Sequence, residues 1–429
     1  MRVWRAWLGV VVCAGSVLLA CADSTGEALL EEAPAPEASA PASVEASAPD
    51  APLEVAPALV LNDERRVRPT PPPPPPPPTK PDAIFQPGFH QALRWSHSVG
   101  STVTFRMRVP VAREGGRIRV TFRSGDGNLT VQRATVAKAG TDGALASMPV
   151  PLTFGGKDGF STGARTLVTS DPVDFPVSFR DDLAISFEAR GALAVSAIDA
   201  FPGSYARTGT HSAVPEVLGG QPFERAVGVA TVDVEGFPTR AFVALGDSIT
   251  EGYIDMKNDT RNAWPALVEA QLGVPVVNAG VSGQGFFDAL ELLDGEVLTL
   301  RGITDCLVLL GTNDLGNDGA LGQIQSRMLR LVERLRPFCR VWVSTLLPKE
   351  KSNHSPYTVV KQQRLAFNEW LRQGATGTDL IDLEAVTRRP DNPHLFLEGL
   401  VVDGIHPSAE GHRVMSTEVV RMLRERGEL

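Results

Sequence analysis

The chain has 429 residues, enough for two or three domains of ordinary size, and 43% of them are hydrophobic, enough for sizeable cores. Its 50 Asp and Glu against 41 Lys and Arg leave a net charge of −9. A nucleic-acid binder normally presents a basic face, so this balance argues against nucleic acid as a partner.

The N-terminus reads as an export segment. Arg2 and Arg5 supply positive charge, and Leu8 to Ala20 is a run of apolar and small residues. A short apolar region after a basic start is a secretory signal, and this one is shorter than the ~20 apolar residues of a membrane span. It ends in Leu18-Leu19-Ala20-Cys21, which resembles a bacterial lipobox. Residues 1–21 are therefore expected to be a signal peptide, with Cys21 lipidated and the protein held to a membrane of the cell envelope. The alternative is ordinary cleavage and release outside the cell. Residues 22–85 are rich in Ala, Pro, Glu and Ser and include the unbroken run Pro71 to Pro78. Low hydrophobicity cannot offset the entropy of ordering, and a proline run holds a stiff extended rod, so this stretch predicts a disordered tether.

Residues 86–225 predict an all-β domain. Val103, Phe105, Met107 and Val109 alternate with polar residues, as do Ile118, Val120 and Phe122, and Leu183, Ile185 and Phe187. That period is the signature of a half-buried strand. Ser124-Gly125-Asp126-Gly127 and Gly155-Gly156 read as turns between such runs, and the spacing suggests a sandwich or jelly roll. His90, His97 and His211 read here as surface or packing residues.

From residue 238 to the C-terminus the period changes. Strand-like runs at Ala241–Leu245, Val274–Val277, Cys306–Leu310, Val341–Thr345 and Asp379–Leu383 alternate with helical segments. The clearest helix carries Leu321, Ile324, Met328, Leu331 and Leu335 on one face. Strands alternating with helices predict a doubly wound parallel α/β sheet of about five strands, closed by a helix starting near Ser408. Cys306 and Cys339 precede neighbouring strand runs. Adjacent strands lie close enough for a bridge, although a pair of buried free thiols is the commoner arrangement.

Ligands of such sheets bind beyond the carboxyl ends of the strands. Four segments belong to that edge: Gly246-Asp247-Ser248, Asn278-Ala279-Gly280-Val281-Ser282-Gly283, Gly311-Thr312-Asn313-Asp314 and Asp403-Gly404-Ile405-His406-Pro407. Together they supply a hydroxyl nucleophile, small-residue amides, a side-chain amide, and an Asp and His three apart. Those are the parts needed for acyl transfer.

In this order the four segments resemble the blocks of the SGNH (GDSL) hydrolases, over residues 240 to the C-terminus. The β-domain resembles, more loosely, a module attached to some secreted esterases of that family. The resemblance implies a flavodoxin-like fold and an esterase with Ser248 as nucleophile, His406 as base and Asp403 as its orienting acid. The oxyanion donors it implies are the backbone N–H groups of Ser248 and Gly283 and the side chain of Asn313. Asp247 and Asp314 are expected to bond loop amides rather than react. No metal or cofactor is implied. The substrate suggested is an acylated, most simply acetylated, carbohydrate. A lipid or thioester, or a decayed site in a polysaccharide-binding protein, are the alternatives. No residue pattern speaks to an oligomeric state.

Other chemistries find less support. Gly283-Gln284-Gly285 would need its third dinucleotide-loop glycine at Asp288, no G-x-S-x-G elbow stands around a serine in the right context, and no H-E-x-x-H or Cys–His metal pattern is present.

Overall fold

The alternation of Phe105, Met107, Val109 and Val111 does what period two demands: these side chains are buried on one face of a long strand. The computed structural model describes residues 82–254, 258–316, 320–352 and 355–426. The expected signal peptide, Cys21 and the tether as far as Pro81 lie outside the described residues.

Eleven strands make up the N-terminal β-region. They are β1 (Ile84–His90), β2 (Trp95–Val111), β3 (Gly115–Lys138), β4 (Val150–Leu152), β5 (Phe160–Thr162), β6 (Leu167–Thr169), β7 (Val173–Val177), β8 (Asp181–Val195), β9 (Tyr205–Thr208), β10 (Gln221–Pro222) and β11 (Val229–Gly236). Ile84 and Phe85, expected to close the tether, instead open β1. The pairing order is β1-β11-β3-β8-β2-β9-β10, with β4, β5, β6 and β7 also on β3. The first half of β3 pairs with β11, β6 and β7, and its second half with β8, β4 and β5. One long strand thus serves two layers around a shared core of Phe105, Phe122, Phe187, Val120 and Leu193. This all-β layering agrees with the expected class.

Ser124–Gly127 corrects the sequence reading. It is not a turn between strands: β3 runs through it, with a register shift between Ser124 and Leu129. Bulges of this kind bend a strand from one layer to the next, and they use the same small residues as turns.

The C-terminal part alternates as expected. Its strands are β12 (Phe242–Gly246), β13 (Val276–Gly280), β14 (Asp305–Leu309), β15 (Arg340–Ser344) and β16 (Asp379–Ile381). All pair in parallel, in the order β13-β12-β14-β15-β16. The chain leaves β12 in one direction for β13 and then returns past it to β14, so β12 lies at the topological switch point of a doubly wound sheet. The helices are α1 (Ser248–Glu251), α2 (Trp264–Leu272), α3 (Phe286–Glu296), α4 (Ala320–Leu335), α5 (Tyr357–Arg372), α6 (Leu383–Thr387) and α7 (Ala409–Glu425). One face of the sheet, with Val243, Leu245 and Val308, packs on α3, α4 and α5. The other, with Phe242, Ala244 and Leu307, packs on α2 and α7. Burial on both faces explains why these strands read as unbroken apolar runs. Ser408 caps α7, its hydroxyl accepting the Gly411 N–H.

The two regions pack into one another through named contacts. Gln91, just after β1, forms a parallel bridge with Asn278 and donates from Nε2 to the Gly280 carbonyl at 3.0 Å. Arg94 pairs with Asp288 at 2.6 Å, and Arg123 pairs with Glu296 where both are buried. Thr260 N–H donates to the Ala200 carbonyl at 2.9 Å.

Cys306 and Cys339 form a disulfide with a Cα separation of 5.8 Å, so the commoner arrangement of two free thiols does not hold here. The register pairs Cys306 with Val341, which brings Cys339 alongside β14. The bridge closes a loop across a sequence separation of 33, for which chain entropy gives about 3–4 kcal/mol. Cys306→Ala/Cys339→Ala is expected to lose about 2–4 kcal/mol in urea unfolding. An unchanged midpoint and slope would show the bridge to contribute nothing.

Glu269 of α2 is buried at the opposite edge from the loops described below, where its carboxylate accepts the Val276 N–H at 3.4 Å. Burial pushes its pKa from 4.5 up to about 7. A raised carboxylate gives stability that is complete below the unfolded pKa and is lost as pH rises through the folded one. Glu269→Gln should therefore gain on the wild type progressively between pH 4.5 and about 7. Denaturant unfolding at pH 5 and pH 8 reads this difference, and a constant gap between the two proteins would contradict it.

Candidate active site

The last residue of β12 is Gly246, and no other residue fits there. A Cβ would lie 2.0 Å from Thr250 Oγ1 and 2.6 Å from the Leu309 carbonyl. The chain then turns at Asp247, whose side chain caps α1 by accepting the Ile249 N–H at 3.0 Å. Ser248 is thereby the first residue of a helix at the sheet's switch point. Helix geometry leaves its backbone N–H without an intrahelical acceptor.

Ser248 Oγ lies 2.9 Å from His406 Nε2, and His406 Nδ1 lies 2.8 Å from Asp403 Oδ2. The other Asp403 oxygen accepts the backbone N–H groups of Ile405 and His406 at 2.9 and 2.8 Å. Burial alone would raise the Asp403 pKa. The His406 N–H, the His406 ring and the Ile405 N–H outweigh it and hold the carboxyl below its ordinary value. An ionised Asp403 places the imidazole proton on Nδ1, so Nε2 presents its lone pair to the serine hydroxyl. The Tyr253 ring packs over His406 with centroids 4.3 Å apart. His412 is buried and takes the Trp264 N–H on Nδ1 at 3.0 Å. Desolvation, with the nearby His406, lowers its pKa to about 3, which keeps it neutral.

The remaining candidates stand on the adjoining loops. Gly283 has φ +79°, open space where a Cβ would be, and a backbone N–H without a partner among the described residues. Asn313 is exposed, and its Nδ2 donates one hydrogen to the Gln284 carbonyl at 3.0 Å, leaving the other free. Gln284 is buried and donates from Nε2 to the Gly246 carbonyl at 3.0 Å. Gln284 therefore ties together the loops after β12, β13 and β14, through its side chain to Gly246 and through its backbone carbonyl to Asn313. Asp247 and Asp314 bond amides as expected, Asp314 taking the Phe286 N–H at 3.1 Å. Burial pushes Asp247 up to about 7, against the Ile249 N–H and the charge of Lys349.

Sequence reasoning passed over the loop after β15. Lys349 Nζ, buried, donates to the Thr312 carbonyl at 2.9 Å, and the Glu350 N–H donates to the Gly404 carbonyl at 2.8 Å. The loop thus braces both the Asn313 and the His406 segments. Its position after a strand of the same sheet was the available signal. Glu251, which sequence reasoning also passed over, is fully buried and accepts three backbone N–H groups. Among the described residues, no group of His, Cys, Asp and Glu side chains is arranged to hold a metal ion. A cavity of about 840 Å³ opens elsewhere, beside Arg113, Phe237 and Pro275, away from these loops.

The arrangement can activate a hydroxyl, hold the resulting imidazolium and offer N–H groups to a developing negative charge. Residues 244–414 match the GDSL-like Lipase/Acylhydrolase family. No curated protein matches the chain. Among solved structures, the chain is similar to a lipase/acylhydrolase from Enterococcus faecalis at 26% identity, covering 44% of this chain and 97% of that one, with a TM-score of 0.36. An acetylxylan esterase from Geobacillus stearothermophilus is similar at 19% identity, covering 43% and 93%, with a TM-score of 0.34. A carbohydrate acetylesterase from Sinorhizobium meliloti is similar at 17% identity, covering 44% and 100%, with a TM-score of 0.37.

If Asp403 sets the tautomer of His406, Asp403→Ala should slow labelling of Ser248 by a fluorophosphonate probe by ~10² or more. His406→Ala should be slower still, because it removes the base itself. Equal labelling rates in the wild type and Asp403→Ala would dismiss the orienting role.

Proposed function

We propose that this chain, whose C-terminal domain belongs to the GDSL-like lipase/acylhydrolase family and makes it an ester hydrolase, works through Ser248, His406 and Asp403 by way of a covalent acyl-enzyme. The observation that carries the reading is the unbroken chain from Ser248 Oγ to His406 Nε2 and from His406 Nδ1 to Asp403, at 2.9 and 2.8 Å. Ser248 Oγ attacks the ester carbonyl carbon as its proton passes to His406 Nε2. Asp403 stabilises the imidazolium without taking the proton. The N–H groups of Ser248 and Gly283 and the free N–H of Asn313 receive the oxyanion. Collapse expels the alcohol, which takes the proton from Nε2, and leaves the acyl group on Ser248. Water then attacks the acyl carbon, giving its proton to Nε2. The second collapse releases the acid and returns the proton to Ser248.

The substrate proposed is a short acyl ester, acetyl above all, on a carbohydrate. Two exposed aromatic rings flank the start of α3, which follows the Gly283 loop, and aromatic faces suit sugar rings. Phe287 is 54% exposed and lies against the Arg327 guanidinium, which pairs with Asp314. Trp95 is 51% exposed beside Arg94, which pairs with Asp288. Export and the Cys21 anchor belong to the same proposal. The Cys306–Cys339 disulfide supports them, since such bonds persist mainly outside the reducing cytosol.

Ser248→Ala is expected to lower turnover of p-nitrophenyl acetate by roughly 10⁴-fold or more and to abolish fluorophosphonate labelling, with a nearly unchanged melt. Wild-type turnover in that variant would end the nucleophile assignment. On the wild type, rates should fall as the acyl chain lengthens, and acetylated xylo-oligosaccharide should be deacetylated. A preference for long acyl chains would instead assign a lipid substrate.

A further inference from the structure

Glu251 closes α1, three residues after Ser248, and takes no part in the proton-transfer chain. It is fully buried, and its carboxylate spans two regions of the protein. Oε2 accepts the Ser282 N–H at 2.6 Å, while Oε1 accepts the Ala197 and Ile198 N–H groups at 3.0 and 3.4 Å. Ala197 and Ile198 follow β8 of the β-region. Ser282 immediately precedes Gly283.

The local backbone gives the first of these bonds its importance. Val281 to Gln284 form a turn closed by the Gln284 N–H on the Val281 carbonyl at 3.0 Å. Gly283, with φ +79°, occupies the third position, as a type II turn requires. Type I and type II turns share that closing bond and differ by a flip of the central peptide. Here the central peptide is the one that carries the Gly283 N–H. The closing bond cannot select the orientation, so other contacts must. Gln284 is held on one side by Gly246 and Asn313, and Ser282 is held on the other by Glu251.

We infer that Glu251 is a positioning residue for the oxyanion site: its carboxylate fixes the turn so that the Gly283 N–H faces the reacting carbonyl, and it makes the Ala197–Ile198 segment of the β-region a structural part of that site. This rests on the oxyanion role proposed for Gly283. The β-region is then a component of catalysis rather than an appended module.

The test compares Glu251→Gln with Glu269→Gln in the full chain. Both remove a buried carboxylate bonded to backbone N–H, Glu251 accepting three such groups at the catalytic edge and Glu269 one at the opposite edge. An amide at position 251 would turn a donor toward one of its N–H partners. Glu251→Gln should lower kcat on p-nitrophenyl acetate about tenfold to a hundredfold, a fraction of the cost of losing an oxyanion donor, with KM within about twofold. Fluorophosphonate labelling should slow in parallel, and Glu269→Gln should leave kcat, KM and labelling at wild-type values. Wild-type kcat in Glu251→Gln, or an equal loss in both variants, overturns the inference while leaving the Ser248 assignment intact. Loss of the Ser248→Ala effect would instead remove the reading beneath it. Should Glu251→Gln fail to fold, Glu251→Asp, which keeps the charge but shortens its reach, must show the same fall in kcat at unchanged KM, and wild-type kcat in that variant overturns the inference.

Discussion

A parallel sheet buried on both faces ends in backbone amides and carbonyls that need partners, and the whole edge that carries Ser248 and His406 is organised by that requirement. The partners here are side chains. Asp247 caps α1, Gln284 takes the Gly246 carbonyl, and Asn278 spans the Thr250 carbonyl and the Gly280 N–H. Asp314 takes the Phe286 N–H, and Lys349 takes the Thr312 carbonyl. The bonds of Gln284, Asp314 and Lys349, and that of Asn278 to Thr250, each satisfy one segment with a residue from another. The loops therefore cannot move independently, and Ser248 and His406 keep their spacing across a sequence separation of 158. Such preorganisation is what an oxyanion site needs, because its donors then require no rearrangement as charge develops.

The cost of this arrangement is desolvated charge. Asp247, Glu251 and Glu269 are all buried and raised to about 7, with backbone amides opposing the effect of burial at each. Two of the three, Asp247 and Glu251, flank Ser248 in the sequence. Of the three, Glu251 satisfies several amides, and removing its carboxylate would leave them unpaired.

Local signals made much of this legible. The apolar runs that became β12 and β14, the stripe from Leu321 to Leu335 and the four polar segments each declare themselves within a few residues, and the structure joins Ser248, His406 and Asp403 as their spacing suggested. What escaped depends on partners far along the chain. Ser124–Gly127 has the composition of a turn, yet pairing with β8 carries the strand through it. The Cys306–Cys339 bridge follows from the register of β14 against β15, which composition does not encode. Glu251 carries no local signal of its contacts, because the N–H groups it accepts, of Ala197 and Ser282, come from the β-region and from the loop after β13.

The single bridge between Gln91 and Asn278 bears on solubility. β13 is an outer strand of the parallel sheet, buried along its length, and its unpaired side would be a template for another chain. Gln91 occupies that side with a backbone bridge and with its side-chain amide on the Gly280 carbonyl. At the other border the outermost strand, β16, has only three residues, too short to recruit a partner. The β-region thus guards the long border of the sheet and leaves the short one to its own brevity, so an α/β domain separated from it would carry an adhesive edge into solution.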